Sequence, residues 1–296
     1  MRYLILTLQS IGAILYTTYL QTLGVLHHPS SQSTQRIYPP PPPKSTLTAG
    51  FTAGAIQSVV AAPMDALQVR FRTSDITQGR YRNMWQYGYQ KLNEIGMRGV
   101  FAGWSLSFVK DSFGYAVFFA TFEYVKAQAY YEFVSKYYGH WRFRNRDPVL
   151  KPRVDELYSG FVIRPHYAIE PTFLMLAGIA ASVTQQVIQH PIGLVQSVYC
   201  NSLAETDKQF QREKTKSHIF RSYYGAYGKT YNRCQEYVKQ NGGWRRWLYR
   251  GFFWSTIKQV PSTSAGLIIF ELVRRRFGTD TEAVRIEKDG YDVLLT

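Results

Sequence analysis

The sequence has few of the residues and motifs from which metal sites and active sites are built. Cys200 and Cys234 are its only cysteines, they form no Cys-x-x-Cys pair, and no histidine lies near them at zinc-ligand spacing. The six histidines include no HExxH pair, and the chain has neither a GxSxG motif nor a P-loop. We therefore expect two free thiols, no metal, no cofactor and no enzymatic activity.

Charged side chains are nearly absent from five long stretches. About 20 mainly apolar residues suffice to cross a bilayer core, and five such stretches are too many for the core of a soluble protein with a net charge of +15. The basic residues concentrate between the stretches, where no soluble nucleic-acid-binding domain fits. The sequence thus predicts an all-α integral membrane protein that does not bind nucleic acid. The five stretches are residues 3–26, 45–64, 99–122, 171–204 and 251–270.

The N-terminal region predicts a helix followed by a spacer. Residues 3–26 exceed the apolar region of a signal peptide and no A-x-A-like site follows them, which favours a retained helix over a cleaved signal. Residues 39–43 are five consecutive prolines, which favour an extended polyproline II spacer.

Two parts of the chain resemble each other. LTAGFTAGAIQSVVAAP at 47–63 aligns with MLAGIAASVTQQVIQHP at 175–191, and GWSLSFVK at 103–110 aligns with GFFWSTIK at 251–258. The offset is larger in the second pair, which indicates an insertion near 203–226. Each repeat predicts a small-residue helix, a loop, a short amphipathic helix (83–96 and, less clearly, 229–241) and a second apolar helix. The expected organisation is an apolar helix over 1–27, a Pro-rich linker over 28–46, a repeat over 47–128, a basic linker over 129–170, a second repeat over 171–278 and a polar tail over 279–296.

The motifs of these repeats resemble those of the mitochondrial carrier family. The family's odd-numbered helices end with P-x-[DE]-x-x-[KR], and residues 63–68 read PMDALQ. Its even-numbered helices close with [FY]-[DE]-x-x-[KR], and residues 122–126 and 270–274 read FEYVK and FELVR. The resemblance covers about 47–128 and 172–278. It implies a carrier-like transmembrane helix bundle of about five to six helices, kinked at Pro63, Pro191 and Pro261.

The chain also departs from the family pattern. A full carrier has three repeats and six helices, whereas only two repeats are recognisable here. In the second repeat, residues 191–196 read PIGLVQ, so Gly193 replaces the acidic residue. These departures indicate a degenerate or truncated member.

Two lysines interrupt the predicted spans. Lys110 and Lys258 stand at equivalent positions of the two repeats, and a charge at bilayer depth usually has a partner or faces a cavity. The resemblance implies that both contact substrate, and two ammonium groups at one cavity would favour a small anionic solute. Alternatively, each lysine extends to the membrane interface.

The resemblance also implies ion pairs that gate a transport path. Glu123 with Lys126, and Glu271 with Arg274, would close one side, although spacing by three also permits an ordinary pair within one helix. Asp65, braced by Gln68, would belong to the network on the opposite side.

Two functions are compatible with these patterns. The first is a carrier of a small anionic metabolite across the mitochondrial inner membrane by alternating access, in contact with lipids such as cardiolipin. The second is a non-transporting membrane adaptor or assembly protein of the carrier fold, with the outer membrane as an alternative location and basic loops that contact a protein partner.

Overall fold

A computed structural model describes most of the chain as helix. The described residues are 2–28, 30, 39–70, 89, 93, 101, 103–134, 136–137, 161–163, 169–213, 219–277, 284–288 and 291–295. The helices are α1 (Arg2–Leu26), α2 (Pro43–Arg70), α3 (Trp104–Glu123), a π-helix (Tyr124–Ala129), α4 (Tyr130–Val134), α5 (Ile169–Glu213), α6 (Ile219–Asn241), α7 (Trp244–Leu248) and α8 (Phe252–Phe277). The strands are β1 (Phe161–Ile163), β2 (Val284–Lys288) and β3 (Tyr291–Leu295).

The helical architecture predicted from the sequence is confirmed. All five apolar stretches are helices, namely α1, α2, α3, α5 and α8. Two segments of the described chain, Pro43–Asp65 and Ile169–Leu203, are long and apolar enough to cross a membrane. Membrane crossing by α1, α3 and α8 stays a prediction.

The helices differ from the predicted segments mainly at their ends. Helix α2 begins at Pro43, inside the predicted linker, because proline at the first helical position loses no hydrogen bond. Helix α5 continues to Glu213, so the predicted insertion begins as helix. The second amphipathic helix, 229–241, lies within α6, whereas 83–96 falls almost entirely outside the described residues. The three prolines predicted to kink helices lie inside α2, α5 and α8.

A small sheet lies in segments predicted as linker and tail. Strand β3 is central, parallel to β1 with Phe161 opposite Val293, and antiparallel to β2 with Ile286 opposite Val293. The sequence did not predict this sheet, because the parallel pair joins segments that are far apart in the chain.

The chain forms two compact units. The first comprises Met1–Tyr16, Phe51–Tyr115 and Gln186–Phe252, and the second comprises Thr17–Gly50, Ala116–Gln185 and Phe253–Thr296. In the first unit, the Phe51 ring packs edge-on against Phe113 with centroids 5.4 Å apart. In the second, the Tyr19 and Phe119 rings stack with centroids 3.8 Å apart.

Helix α5 exposes an apolar stripe within the second unit. Met175, Leu176, Ile179 and Val183 recur at helical spacing and are all exposed. A contiguous exposed stripe of this kind is unusual on a soluble protein and is typical of a surface that faces lipid or another chain.

Candidate functional site

Polar side chains from α2, α3 and α5 meet in the first unit. We call this group the polar cluster, and its members are Asp65, Ser107, Lys110, Asp111 and Gln196. Lys110 Nζ lies 3.7 Å from Asp111 Oδ1, and both side chains are mostly buried. The Asp65 carboxylate interacts with the Lys110 charge and with the Ser107 side chain. The Lys110 ammonium group is therefore paired with Asp111 and also acts electrostatically on the Asp65 carboxylate.

A hydrogen bond joins the cluster to α5. Gln196 Nε2 donates to Ser107 Oγ over 2.7 Å, and Ser107 is 3% exposed. Because a serine hydroxyl can accept and donate at once, Ser107 can accept from Gln196 while its own proton faces Asp65. Ser107 of α3 thus connects Asp65 of α2 with Gln196 of α5, and Lys110 adds an electrostatic interaction between α3 and α2.

A glycine permits α2 to approach α3 closely enough for these contacts. A Cβ atom on Gly54 would lie 2.6 Å from the Asp111 carbonyl oxygen and 2.9 Å from the Ser112 Cα. Neither is the end of a flexible side chain, so no rotamer change could relieve the contact. Gly54 therefore marks a close approach of two helix backbones, as small residues at helix interfaces permit.

The cluster has chemistry suited to a solute site but not to a metal. Two carboxylates, one ammonium group, one hydroxyl and one amide offer both donors and acceptors. Charges retained in an apolar helix bundle mark substrate or ion paths. Among the residues that the structure describes, no three His, Cys, Asp or Glu side chains come together as metal ligands.

The structure pairs the predicted gate residues of the first repeat within one helix. Lys126 Nζ lies 3.5 Å from Glu123 Oε1 and 5.5 Å from the Phe122 ring centroid, and Glu123 is 5% exposed. This contact joins residues three apart in the chain, which is the ordinary pair within one helix that the sequence also permits. The π-helix begins at the next residue, Tyr124, and such turns frequently occur at functional sites.

Of the remaining predicted site residues, the structure describes the side chain of Lys258 alone. Lys258 belongs to the second unit and is exposed on α8. Glu271 and Arg274 lie on α8 and Gln68 lies on α2, but their side chains fall outside the described residues.

Three members of the cluster were not assigned a role from the sequence. Ser107 gives no sequence signal, and Asp111 was noted only as a charge in an apolar stretch. Gln196 could have been found, because PMDALQ and PIGLVQ both end in glutamine at the equivalent position.

A family model described as mitochondrial carrier protein matches residues 40–132. The chain is 25% identical over 240 residues to mitochondrial substrate carrier family protein Y of Dictyostelium discoideum, a match that covers 77% of this chain and 44% of that protein. No solved structure matches significantly. The chain is thus similar to the mitochondrial carrier family, over residues 40–132 by the family model and over 240 residues by this relative.

The chain spans less than half the length of the curated relative that it matches.

Proposed function

We propose that the protein moves a small anionic metabolite across the mitochondrial inner membrane by alternating access. The observation that best supports this function is the polar cluster between α2, α3 and α5, where Lys110 is mostly buried beside two carboxylates. Charged groups retained between apolar helices are costly unless they have partners or a task. Transporters built from repeats commonly bind solute where the repeats meet.

Lys110 and Lys258 are the proposed contacts for the solute. The 3.7 Å separation of Lys110 Nζ and Asp111 Oδ1 is long for a direct charge-assisted hydrogen bond. A carboxylate or phosphate group of the solute could therefore displace Asp111 as the closest anion. Lys258 is exposed and accessible to a second anionic group.

The gates of this path are the ion pairs that the sequence suggested. Glu123 with Lys126 and Glu271 with Arg274 would close one end, and Asp65 with Gln68 would contribute to the other. The buried Glu123 carboxylate supports this role for the first pair, because a pair of low exposure is screened less than a surface pair.

Exchange in liposomes tests the proposal. The purified protein is reconstituted in vesicles loaded with carboxylates, nucleotides or phosphate, and uptake of the labelled solute is measured. We expect saturable exchange that is lost in Lys110→Ala and in Lys258→Ala but retained in Lys239→Ala, which removes an exposed lysine of α6. Failure to exchange any solute would contradict the proposal, as would full activity of both site variants.

The second candidate is a carrier-fold adaptor without transport. Gly193 favours it, because the second repeat has no acidic side chain at the position that Asp65 occupies in the first. Protease protection in intact and swollen mitochondria distinguishes the locations. Cleavage in intact mitochondria of the basic linker over 129–170, together with absent exchange, would support an outer-membrane adaptor with a protein partner.

Anionic lipid is the proposed membrane partner of α7. Trp244 is 44% exposed, and Arg245 and Arg246 follow it on the exposed surface of this helix. Tryptophan and arginine together favour the membrane interface, and cardiolipin provides the negative charge in the inner membrane. Adding cardiolipin to neutral vesicles should stabilise the wild type more than Arg245→Gln/Arg246→Gln.

A further inference from the structure

The second repeat lacks the charged group that the first repeat supplies to the polar cluster. Helix α5 has Gly193 where α2 has Asp65, and a Cβ at position 193 would meet no atom within 4 Å. What α5 does supply, one turn further on, is the amide of Gln196, which donates to Ser107.

We propose that Ser107 and Gln196 are positioning residues that hold Asp65 and close the helix bundle at this level through hydrogen bonds, of which the one between Gln196 and Ser107 joins neutral groups. The contacts from Asp65 to Ser107 and from Ser107 to Gln196 are called the 65–107–196 link. The inference rests on the proposed function, because it assigns to this link the task of opening and closing a solute path. It adds two residues and a helix pairing, α3 with α5, that the motif comparison did not supply.

The geometry around the link favours this task. Ser107 is almost fully buried, at 3% exposure, so water does not compete readily for its hydroxyl. Close to the link, the Gly54 contact with Asp111 and Ser112 brings α2 and α3 together. Gly114 of α3 likewise lies directly against the Gln189 side chain of α5. Breaking the link removes the hydrogen bonds that help hold three closely packed helices.

The link differs physically from an ion-pair gate. The Gln196–Ser107 bond joins neutral groups, so its strength depends little on salt, whereas pairs of accessible charges weaken as ionic strength rises. Hydrogen bonds of this kind contribute modestly to an equilibrium, about three- to tenfold each. A gate held closed by such a hydrogen bond needs little free energy to open, which suits a solute path that opens repeatedly.

Labelling of a reporter cysteine tests the proposal without any transport measurement. The protein is prepared in liposomes with Cys200→Ser, Cys234→Ala and Ser112→Cys, because Ser112 is fully buried next to Gly54. We expect Ser107→Ala and Gln196→Met to increase the rate of N-ethylmaleimide labelling at position 112 about five- to tenfold. The increase should be the same at low and high salt.

Two variants distinguish positioning from general loss of structure. Ser107→Thr keeps a hydroxyl and should restore slow labelling. Ser197→Ala removes the neighbouring hydroxyl, which is exposed and donates only to its own helix at Leu194, and should leave the rate unchanged. The double variant Ser107→Ala/Gln196→Met should label no faster than Ser107→Ala, because that change already removes the bond that Gln196→Met breaks. Unchanged labelling in the single variants, additive effects, or equal acceleration by Ser197→Ala would overturn the proposal.

A cross-link covers the case in which the variants fail to fold. Ser107→Cys/Gln196→Cys, in a background without the native cysteines, should form a disulfide on oxidation. Trypsin cleavage in the basic linker then leaves two fragments joined until reduction, and their separation without reductant would contradict the contact. If the link behaves as expected and no solute is exchanged, the proposed function fails while the positioning roles stand. If exchange occurs and labelling does not respond, the link alone is wrong.

Discussion

Replacing Gly54 with alanine gives a sharp test of how α2 packs on α3. The added Cβ would lie 2.6 Å from the Asp111 carbonyl oxygen, although 3.4 Å is the shortest ordinary contact. The backbones must therefore separate by roughly 0.8 Å. Overpacking of this kind costs about 1–3 kcal/mol, partly offset by about 1 kcal/mol from the better helix propensity of alanine. We expect a net loss of up to about 2 kcal/mol.

The assay is thermal unfolding in detergent, followed by intrinsic tryptophan fluorescence. A loss of this size should lower the apparent Tm by up to about 6 °C. The matched control is Gly228→Ala on α6, an exposed helical glycine whose added Cβ would meet no atom within 4 Å. This control should leave the Tm unchanged or raise it, since only the propensity gain applies.

The Gly54→Ala variant must be less stable than the Gly228→Ala variant if the reasoning is correct. A Gly54→Ala variant as stable as Gly228→Ala would refute the close contact between the two backbones. A large loss in both would indicate that glycine is needed for flexibility and not for helix packing.

Three further predictions concern packing, an ion pair and a thiol. Gly114→Ala should cost less than Gly54→Ala, under about 1 kcal/mol, because its Cβ would meet the flexible Gln189 side chain; an equal loss of Tm would contradict this. Glu123→Gln should destabilise the protein by about 3 kcal/mol, because both side chains of this pair are nearly buried and Lys126 would lose this partner. Adding Lys126→Met should recover most of this loss. A double variant no more stable than Glu123→Gln would contradict this prediction. Burial raises the pKa of the Cys234 thiol. With the other cysteine replaced by serine, maleimide labelling of Cys234 at pH 7.5 should therefore be slower in the folded protein than in SDS, and the rate in the folded protein should still rise above pH 9. Equal labelling rates in the folded protein and in SDS would contradict this prediction.

The gate residues show why a motif predicts where a side chain lies along a helix better than it predicts which side chain pairs with it. The FEYVK motif correctly places Glu123 and Lys126 near the end of a helix, but spacing by three is compatible with a pair inside one helix or between two. The structure forms the pair inside the helix, at 3.5 Å. Rotamer choice at two long side chains decides this, and no spacing rule encodes it.

The polar cluster shows the same limit. Lys110 stood out in the sequence because a charge in an apolar stretch is costly. Its partner in the other repeat by alignment, Lys258, lies in the second unit, while the side chains beside Lys110 are Asp111 and Asp65. Contacts between distant segments depend on helix rotation and on close approaches such as the one at Gly54, which the sequence pattern does not specify.

The sequence by itself determined the helical class, and it indicated two repeats and a resemblance to the mitochondrial carrier family, because apolar length and motif spacing are local properties of the chain. It also fixed where charge is scarce, and hence which few polar residues in the spans require an explanation. The tertiary structure alone decided that Ser107 and Gln196 meet, since their contact joins α3 and α5 across a long stretch of chain. It likewise decided that β1 pairs with β3, because backbone hydrogen bonding between distant segments leaves no periodic signal in the residues.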